Sequence, residues 1–267
     1  MAKVVTLVWL AAALALAATS HTVRGEESLE TLERLVAADP KPFVLVEAAA
    51  EGSVGRGQGV VISPQGHVLS VGHVSWNGTN RQFTDKFRVS FRGPGQEMPQ
   101  GVVHVHKTVF SDREDATFLE HYYSARLQKQ GETRFIGGGD LALFKIEAQG
   151  TFPTLDFFSD VKPKLQSGEV LHLCHYSFPD NAADPTFLIN PLEVVGVAQT
   201  SCGPQYLAKG FYRVGSSGGA ILKEGRLIGI QSAAYTVNAK GVGEIPLGLI
   251  SFQLVWRDLV KEALQEP

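Results

Sequence analysis

The stretch Gly215-Ser216-Ser217-Gly218-Gly219-Ala220 sets a serine among glycines. Gly215 and Gly218 let the backbone turn sharply and let a substrate come close. Such a turn can aim the amides of Gly215 and Ser217 at a developing oxyanion. A serine hydroxyl is a weak nucleophile by itself. It needs a histidine base, and the base needs an orienting carboxylate. The same residues also suit an ordinary Ser/Gly turn between two strands, so the partners decide. His73 follows a strand, a tight turn and a second strand, with small Gly72 before it leaving room for the imidazole. Asp140 stands between three glycines and the apolar run Leu141 to Ile146. A carboxylate at the mouth of a buried strand costs free energy unless it is paired, and a histidine Nδ1–H would pair it.

The elements that would carry these residues are short strands. Phe43 to Val46, Gly59 to Ser63, His67 to Val71, Phe87 to Phe91, Val102 to Val105 and Leu141 to Ile146 read as a first set. Gly52 to Gly59 reads as a glycine-rich turn, and Ser111 to Gln130 as a polar insertion. Asp156 to Gly168 is proline-punctuated and polar, a link between halves. Val170 to Tyr176, Leu192 to Thr200, Tyr206 to Phe211, Ala220 to Leu222, Leu227 to Ala233 and Leu247 to Ser251 form a second set. Turn signals about every 8 to 12 residues suggest a sandwich or barrels. Glu26 to Ala38 and Phe252 to Leu264 carry apolar residues at helical spacing.

Three blocks in order resemble the trypsin/chymotrypsin-type serine peptidases, and most nearly the HtrA (Deg) branch. Gly57 to Val74 resembles its Gly-x-Gly-Val-Ile-Ile…His-Val block, Asp140 to Ile146 its Asp-Leu-Ala-Val-Leu-Lys-Ile block, and Gly215 to Ala220 its Gly-Asn-Ser-Gly-Gly block. The resemblance runs from about Phe43 to Leu259. It implies an all-β fold of two antiparallel β-barrels, with a short N-terminal helix and a C-terminal helix. The implied organisation is an N-terminal extension at 21–42, a first barrel at 43–155 and a second barrel with its helix at 156–267. It also implies a catalytic His73, Asp140 and Ser217, and an oxyanion hole from Gly215 and Ser217. The Gly-Gly that must follow the nucleophile selects Ser217 over Ser216. The branch's PDZ domains would need about 90 to 100 residues after the protease, at the small end of domain sizes. Only a helix is expected after Leu249, so tethering through such a domain is not implied.

By the same resemblance, the base of the primary specificity pocket lies six residues before the nucleophile, at Phe211 with Tyr212 beside it. Ser232, Ala233 and Ala234 would line its wall. A pocket for Arg or Lys would need a carboxylate there. Phe211 offers none, so cleavage after small or medium apolar residues is expected, with Arg213 turned inward as the route to an acidic preference instead. No cofactor is implied, and the partners are protein or peptide substrates.

Composition narrows the compartment and the partners. Of 267 residues, 44% are hydrophobic and 19% charged, as in an ordinary globular protein. A net charge of -3 gives no basis for nucleic acid as a partner. Lys3, the apolar run Val4 to Ala18 and small residues up to Ser20 resemble a cleaved export signal over 1–20. The expected location is therefore periplasmic or secreted, with no stable membrane insertion after cleavage. Cys174 and Cys202 could form a disulfide or stay as buried thiols. His172, Cys174 and His175 lie close in sequence, as do His104 and His106, but no further ligand completes a zinc pattern. Besides an active endopeptidase, two other classes fit the chain: an inactive protease-fold binding module, and an esterase using the same serine. An esterase elbow would be followed by a helix and would precede its acid and histidine, whereas here both come first.

Overall fold

The computed structural model describes residues 30, 32–34, 42–50, 53–74, 76–77, 82–83, 87–93, 96–97, 101–105, 140–146, 150–177, 186–200, 203–213, 215–239 and 243–265. The chain separates into Met1–Asp39 and Pro40–Pro267. In the first unit, residues 30 and 32–34 are helical. The signal-like residues, the 111–130 insertion and Cys202 lie outside the described residues. Among the described residues, no helix is long and apolar enough to cross a membrane.

The first half holds β1 (Phe43–Ala50), β2 (Ser53–Val61), β3 (His67–Val71), β4 (Trp76–Asn77), β5 (Gln82–Phe83), β6 (Phe87–Gly93), β7 (Gln96–Glu97), β8 (Gly101–Val105) and β9 (Leu141–Ile146). The main sheet runs β1-β2-β3-β9-β8-β6-β7, and β6 pairs back onto β1. Val44, Val46, Val60, Leu69, Val89 and Leu143 are buried in this half. One expectation changes here. Much of the glycine-rich segment 52–59 is strand rather than turn, because Ser53 to Val60 pair residue for residue with Ala50 back to Phe43. Two of its glycines, Gly57 and Gly59, answer to packing. A Cβ on Gly57 would meet Val74 Cγ2 at 2.3 Å, and one on Gly59 would meet Val68 Cγ1 at 2.6 Å.

The second half holds β10 (Val170–Ser177), β11 (Thr186–Thr200), β12 (Gly203–Gly210), β13 (Ala220–Lys223), β14 (Arg226–Ala239), β15 (Gly243–Leu254) and helix α1 (Arg257–Gln265). The strands close as a barrel in the order β10-β11-β12-β15-β14-β13. Inward residues alternate along each strand, as the two-residue pleat requires. They build a core of Leu171, Leu173, Leu192, Val194, Ala208, Ile221, Ile228, Ile250, Phe252 and Leu254. Each large member contributes about 1.5–3 kcal/mol by leaving water. Phe252 therefore belongs to a strand and to the barrel core, not to the terminal helix, which begins only at Arg257. Its spacing to Val255, Trp256 and Leu259 fits a helix, but its alternation with Ile250 and Leu254 fits the pleat and wins. The all-β fold with two packed antiparallel barrels is the observed one.

Phe43 of β1 stacks on Phe187 of β11 at 4.9 Å between ring centroids, and Phe187 meets Tyr176 of β10 edge-on at 5.1 Å. These rings pack the two halves together. Cys174, buried on β10, is a free thiol, and burial pushes its pKa well above the ordinary thiol value.

Candidate active site

β3 ends in a 3-10 turn, Gly72–Val74, which turns His73 off the sheet. The Gly72 amide donates to the Asp140 carbonyl at 2.9 Å, joining this turn to the start of β9. The Asp140 side chain is 0% exposed. Its Oδ1 accepts the His73 main-chain N–H at 2.9 Å, and its Oδ2 faces His73 Nδ1 at 2.6 Å. The Ser232 hydroxyl donates to the same Oδ2 at 2.7 Å. Both carboxylate oxygens are thus engaged, which is what a buried carboxylate needs. With Nδ1–H directed at Asp140, the free tautomer leaves Nε2 as an acceptor.

Ser232 comes from the other barrel, on β14. The β14–β15 register slips between Gln231 and Ala233, so Ser232 is the extra residue of a bulge. A bulge breaks the alternation and re-aims a side chain. Gln231 and Ser232 are accordingly both buried. The Ser232 hydroxyl is engaged by Asp140.

The Ser217 turn lies between β12 and β13. Gly215 and Gly218 have φ of 89° and 85°, the left-handed region that glycine adopts without strain. A Cβ on Gly218 would lie 1.9 Å from the Gln58 carbonyl oxygen, so no side chain fits there. The turn is pinned to β14 by Gly218 N–H to Gln231 O and Gln231 N–H to Gly219 O, both 2.9 Å. It is pinned to the first barrel by Gln58 N–H to Ser217 O at 2.8 Å. A Cβ on Gly57 would touch both Val74 and, at 3.0 Å, Ser217 O. The serine main chain and the residue that follows His73 therefore both lie close to Gly57. Among the described residues, the amides of Gly215 and Ser217 have no acceptor, and the Ser217 hydroxyl makes no hydrogen bond to the His73 ring.

Tyr212 donates its hydroxyl to the Tyr235 carbonyl at 3.0 Å, tying segment 211–213 to β14 beyond Ala233 and Ala234. Ala234 is exposed and Ala233 half-buried. Phe211 is 52% exposed, and the Arg213 guanidinium lies 5.1 Å from its ring centroid.

His172 and Cys174 share one face of β10, while His175 points to the other. His175 is fully buried. Its Nε2 lies 2.9 Å from Asn190 Nδ2 and its Nδ1 3.2 Å from the Tyr176 carbonyl. Burial, first, and the nearby Arg213 charge hold its pKa below the ordinary imidazole value, against the Tyr176 hydrogen bond. Among the described residues no group of three His, Cys, Asp or Glu side chains could hold a metal ion. His106 and the side chain of His104 lie outside the described residues.

The first half thus carries a buried His–Asp pair and the second a glycine-framed serine. Residues 57–230 match the trypsin-like peptidase domain family, and the chain belongs to it. Among solved structures, the chain is similar to the HtrA-type protease AlgW with a tripeptide (TM-score 0.56, 19% identity, 89% of this chain and 62% of that one). It is likewise similar to a serine-to-alanine form of AlgW with a decapeptide (TM-score 0.54, 17% identity, 89% of this chain and 64% of that one). At such identities the likeness is one of fold. The chain spans somewhat over three-fifths of the length of these proteins. No curated protein matches.

Proposed function

We propose that this peptidase is an exported serine endopeptidase in which Ser217, His73 and Asp140 act as one unit. His73 Nε2 takes the Ser217 proton as Oγ attacks the scissile carbonyl. The amides of Gly215 and Ser217 hold the oxyanion. His73 then returns the proton to the leaving amine, and water hydrolyses the acyl-enzyme on Ser217. Asp140 fixes the imidazole tautomer and stabilises the imidazolium. The observation that carries this reading is the fully buried Asp140 carboxylate, held 2.6 Å from His73 Nδ1 and also bonded by Ser232.

The substrates are proteins or peptides, cleaved after small or medium apolar residues. The Arg213 guanidinium beside Phe211 disfavours a second cation entering there. Export rests on Lys3 and the apolar run Val4 to Ala18. The test is labelling by a fluorophosphonate together with peptide turnover. Both are expected in the mature protein and lost in Ser217→Ala with folding kept. Normal turnover in that variant would exclude Ser217 as the nucleophile.

A further inference from the structure

The middle residue of the Gly57-Gln58-Gly59 run is not a passive spacer. Its neighbours are glycines because their own Cβ atoms would collide with Val74 and Val68, so only residue 58 can send a side chain out of this stretch of β2. Gln58 is 1% exposed. Its Oε1 accepts the Tyr176 N–H of β10 at 2.6 Å. Its Nε2 donates to the Tyr176 carbonyl at 2.6 Å and to the Gly215 carbonyl at 2.8 Å. Both amide hydrogens and one oxygen lone pair are thereby used, so the carboxamide cannot flip without setting donor against donor and acceptor against acceptor. The main chain of the same residue donates to Ser217 O, and its carbonyl accepts the Ser70 hydroxyl. A single residue of the first barrel thus grips the serine turn of the second at Gly215 and at Ser217, and braces itself on β10.

We infer that Gln58 is a positioning residue that holds the Gly215 end of the oxyanion turn in its working conformation. Gly215 sits at a φ of 89° and, as glycine, has no side chain to resist rotation of its flanking peptides. The Gln58 amide supplies the missing restraint by holding the Gly215 carbonyl, which pins the 215–216 peptide and so narrows the range over which the adjoining Gly215 N–H can turn. It touches neither substrate nor the reacting atoms. The inference rests on the proposed serine mechanism for its kinetic consequence, but not for its structural one.

Two substitutions in the full mature chain test it. Gln58→Met keeps the volume and removes every hydrogen bond of the side chain. The kcat should fall about 10- to 100-fold with KM within about threefold, because a loosened oxyanion donor loses part of what a missing one loses. The Gly215 amide resonance in 15N-glycine-labelled protein should shift or broaden. A folded Gln58→Met chain with kcat within twofold of wild type and an unmoved Gly215 resonance would overturn the inference.

Gln58→Glu covers the case in which Gln58→Met does not fold. As a neutral acid the new carboxyl can still donate to one carbonyl; as a carboxylate it faces two carbonyl oxygens and donates to none. Activity should then be lost as pH rises through the ionisation of the new group, and the Gly215 resonance should titrate with the same midpoint. A Gln58→Glu profile parallel to wild type, with no titration at Gly215, refutes the inference. If the wild-type chain is neither labelled nor active, the serine mechanism fails, and the Gly215 resonance alone still decides the role of Gln58.

Discussion

Asp140→Asn separates the role of the carboxylate's charge and acceptors from its shape. In the native site Oδ1 receives the His73 N–H at 2.9 Å, and Oδ2 faces His73 Nδ1 at 2.6 Å and the Ser232 hydroxyl at 2.7 Å. An asparagine has one oxygen for these two places. If its oxygen takes the Oδ1 place, its NH₂ faces Nδ1. His73 must then accept there and carry its proton on Nε2, the tautomer that cannot take the Ser217 proton. If the amide flips, its NH₂ confronts the His73 main-chain N–H and leaves that buried donor unpaired, at about 1–3 kcal/mol. The first arrangement is cheaper and keeps the fold, so the loss falls on rate. The wrong tautomer lowers kcat by about 10⁴, or about 5 kcal/mol of transition-state stabilisation. The stability loss, about 1–3 kcal/mol, leaves a domain of ordinary stability folded. The assay is kcat/KM on a chromogenic peptide ester, with urea unfolding of each variant. Ser232→Ala is the control: it removes one donor to Oδ2 but neither contact to His73, so its rate loss should stay well below that of Asp140→Asn. A folded Asp140→Asn enzyme within tenfold of wild type would refute the tautomer argument.

Two further outcomes follow from the geometry. The pKa of buried His175 is held below its ordinary value, chiefly by burial and also by Arg213, so between that lowered value and the ordinary value of about 6.5 the unfolded chain binds a proton that the folded chain does not. Its neutral form therefore contributes fully above about pH 6.5, and stability falls as pH drops towards and through the lowered value. Urea midpoints at pH 7.5 and 5.5 should converge in His175→Gln; an unchanged difference would remove His175 as the cause. A peptide-library digest should show cleavage mainly after Ala, Val, Ile or Leu, with discrimination among them of only about 1–3 kcal/mol per methylene. Dominant cleavage after Arg or Lys would refute the pocket assignment, and dominant cleavage after Glu would place Arg213 inside the pocket.

The fold was legible because barrel strands announce themselves by alternation and by glycine-marked turns, and because the His73, Asp140 and Ser217 blocks each sit at the mouth of a strand or turn. What escaped the sequence has physical causes. Gln58 and Gly215 are 157 residues apart, and a polar residue between two glycines carries no sign of a distant partner. The Ser232 hydroxyl reaches Asp140 because a bulge slips the β14–β15 register, and nothing in Gln231-Ser232-Ala233 marks a bulge. A glycine-rich run such as 52–59 usually signals a turn, whereas here a closely packed neighbour strand and the 72–74 turn demand Gly57 and Gly59. Phe252 fitted two periodicities at once, and only closure of the barrel chooses between them.

The proposed catalytic groups are divided between the sheet of the first half and the closed barrel of the second, so their alignment depends on the bonds that cross between them. Two of these run in opposite directions. Ser232 of the second barrel reaches the Asp140 carboxylate of the first, and Gln58 of the first reaches the Gly215 carbonyl of the second. One steadies the carboxylate beside His73, and the other steadies the turn that bears Ser217, the proposed nucleophile. Both are short, the Ser232 bond is buried and the Gln58 bond partly so, and each is stronger than the same bond at the surface. A small shift of one barrel on the other would lengthen both together. Losing either should therefore let the barrels relax and weaken what remains of the other, so that Gln58 and Ser232 substitutions combine non-additively in rate even though the two side chains serve different atoms. Placing the site between two rigid bodies thus makes catalysis more sensitive than stability to these contacts. Each barrel keeps its own core, while the relative position of His73 and Ser217 rests on a handful of crossing bonds.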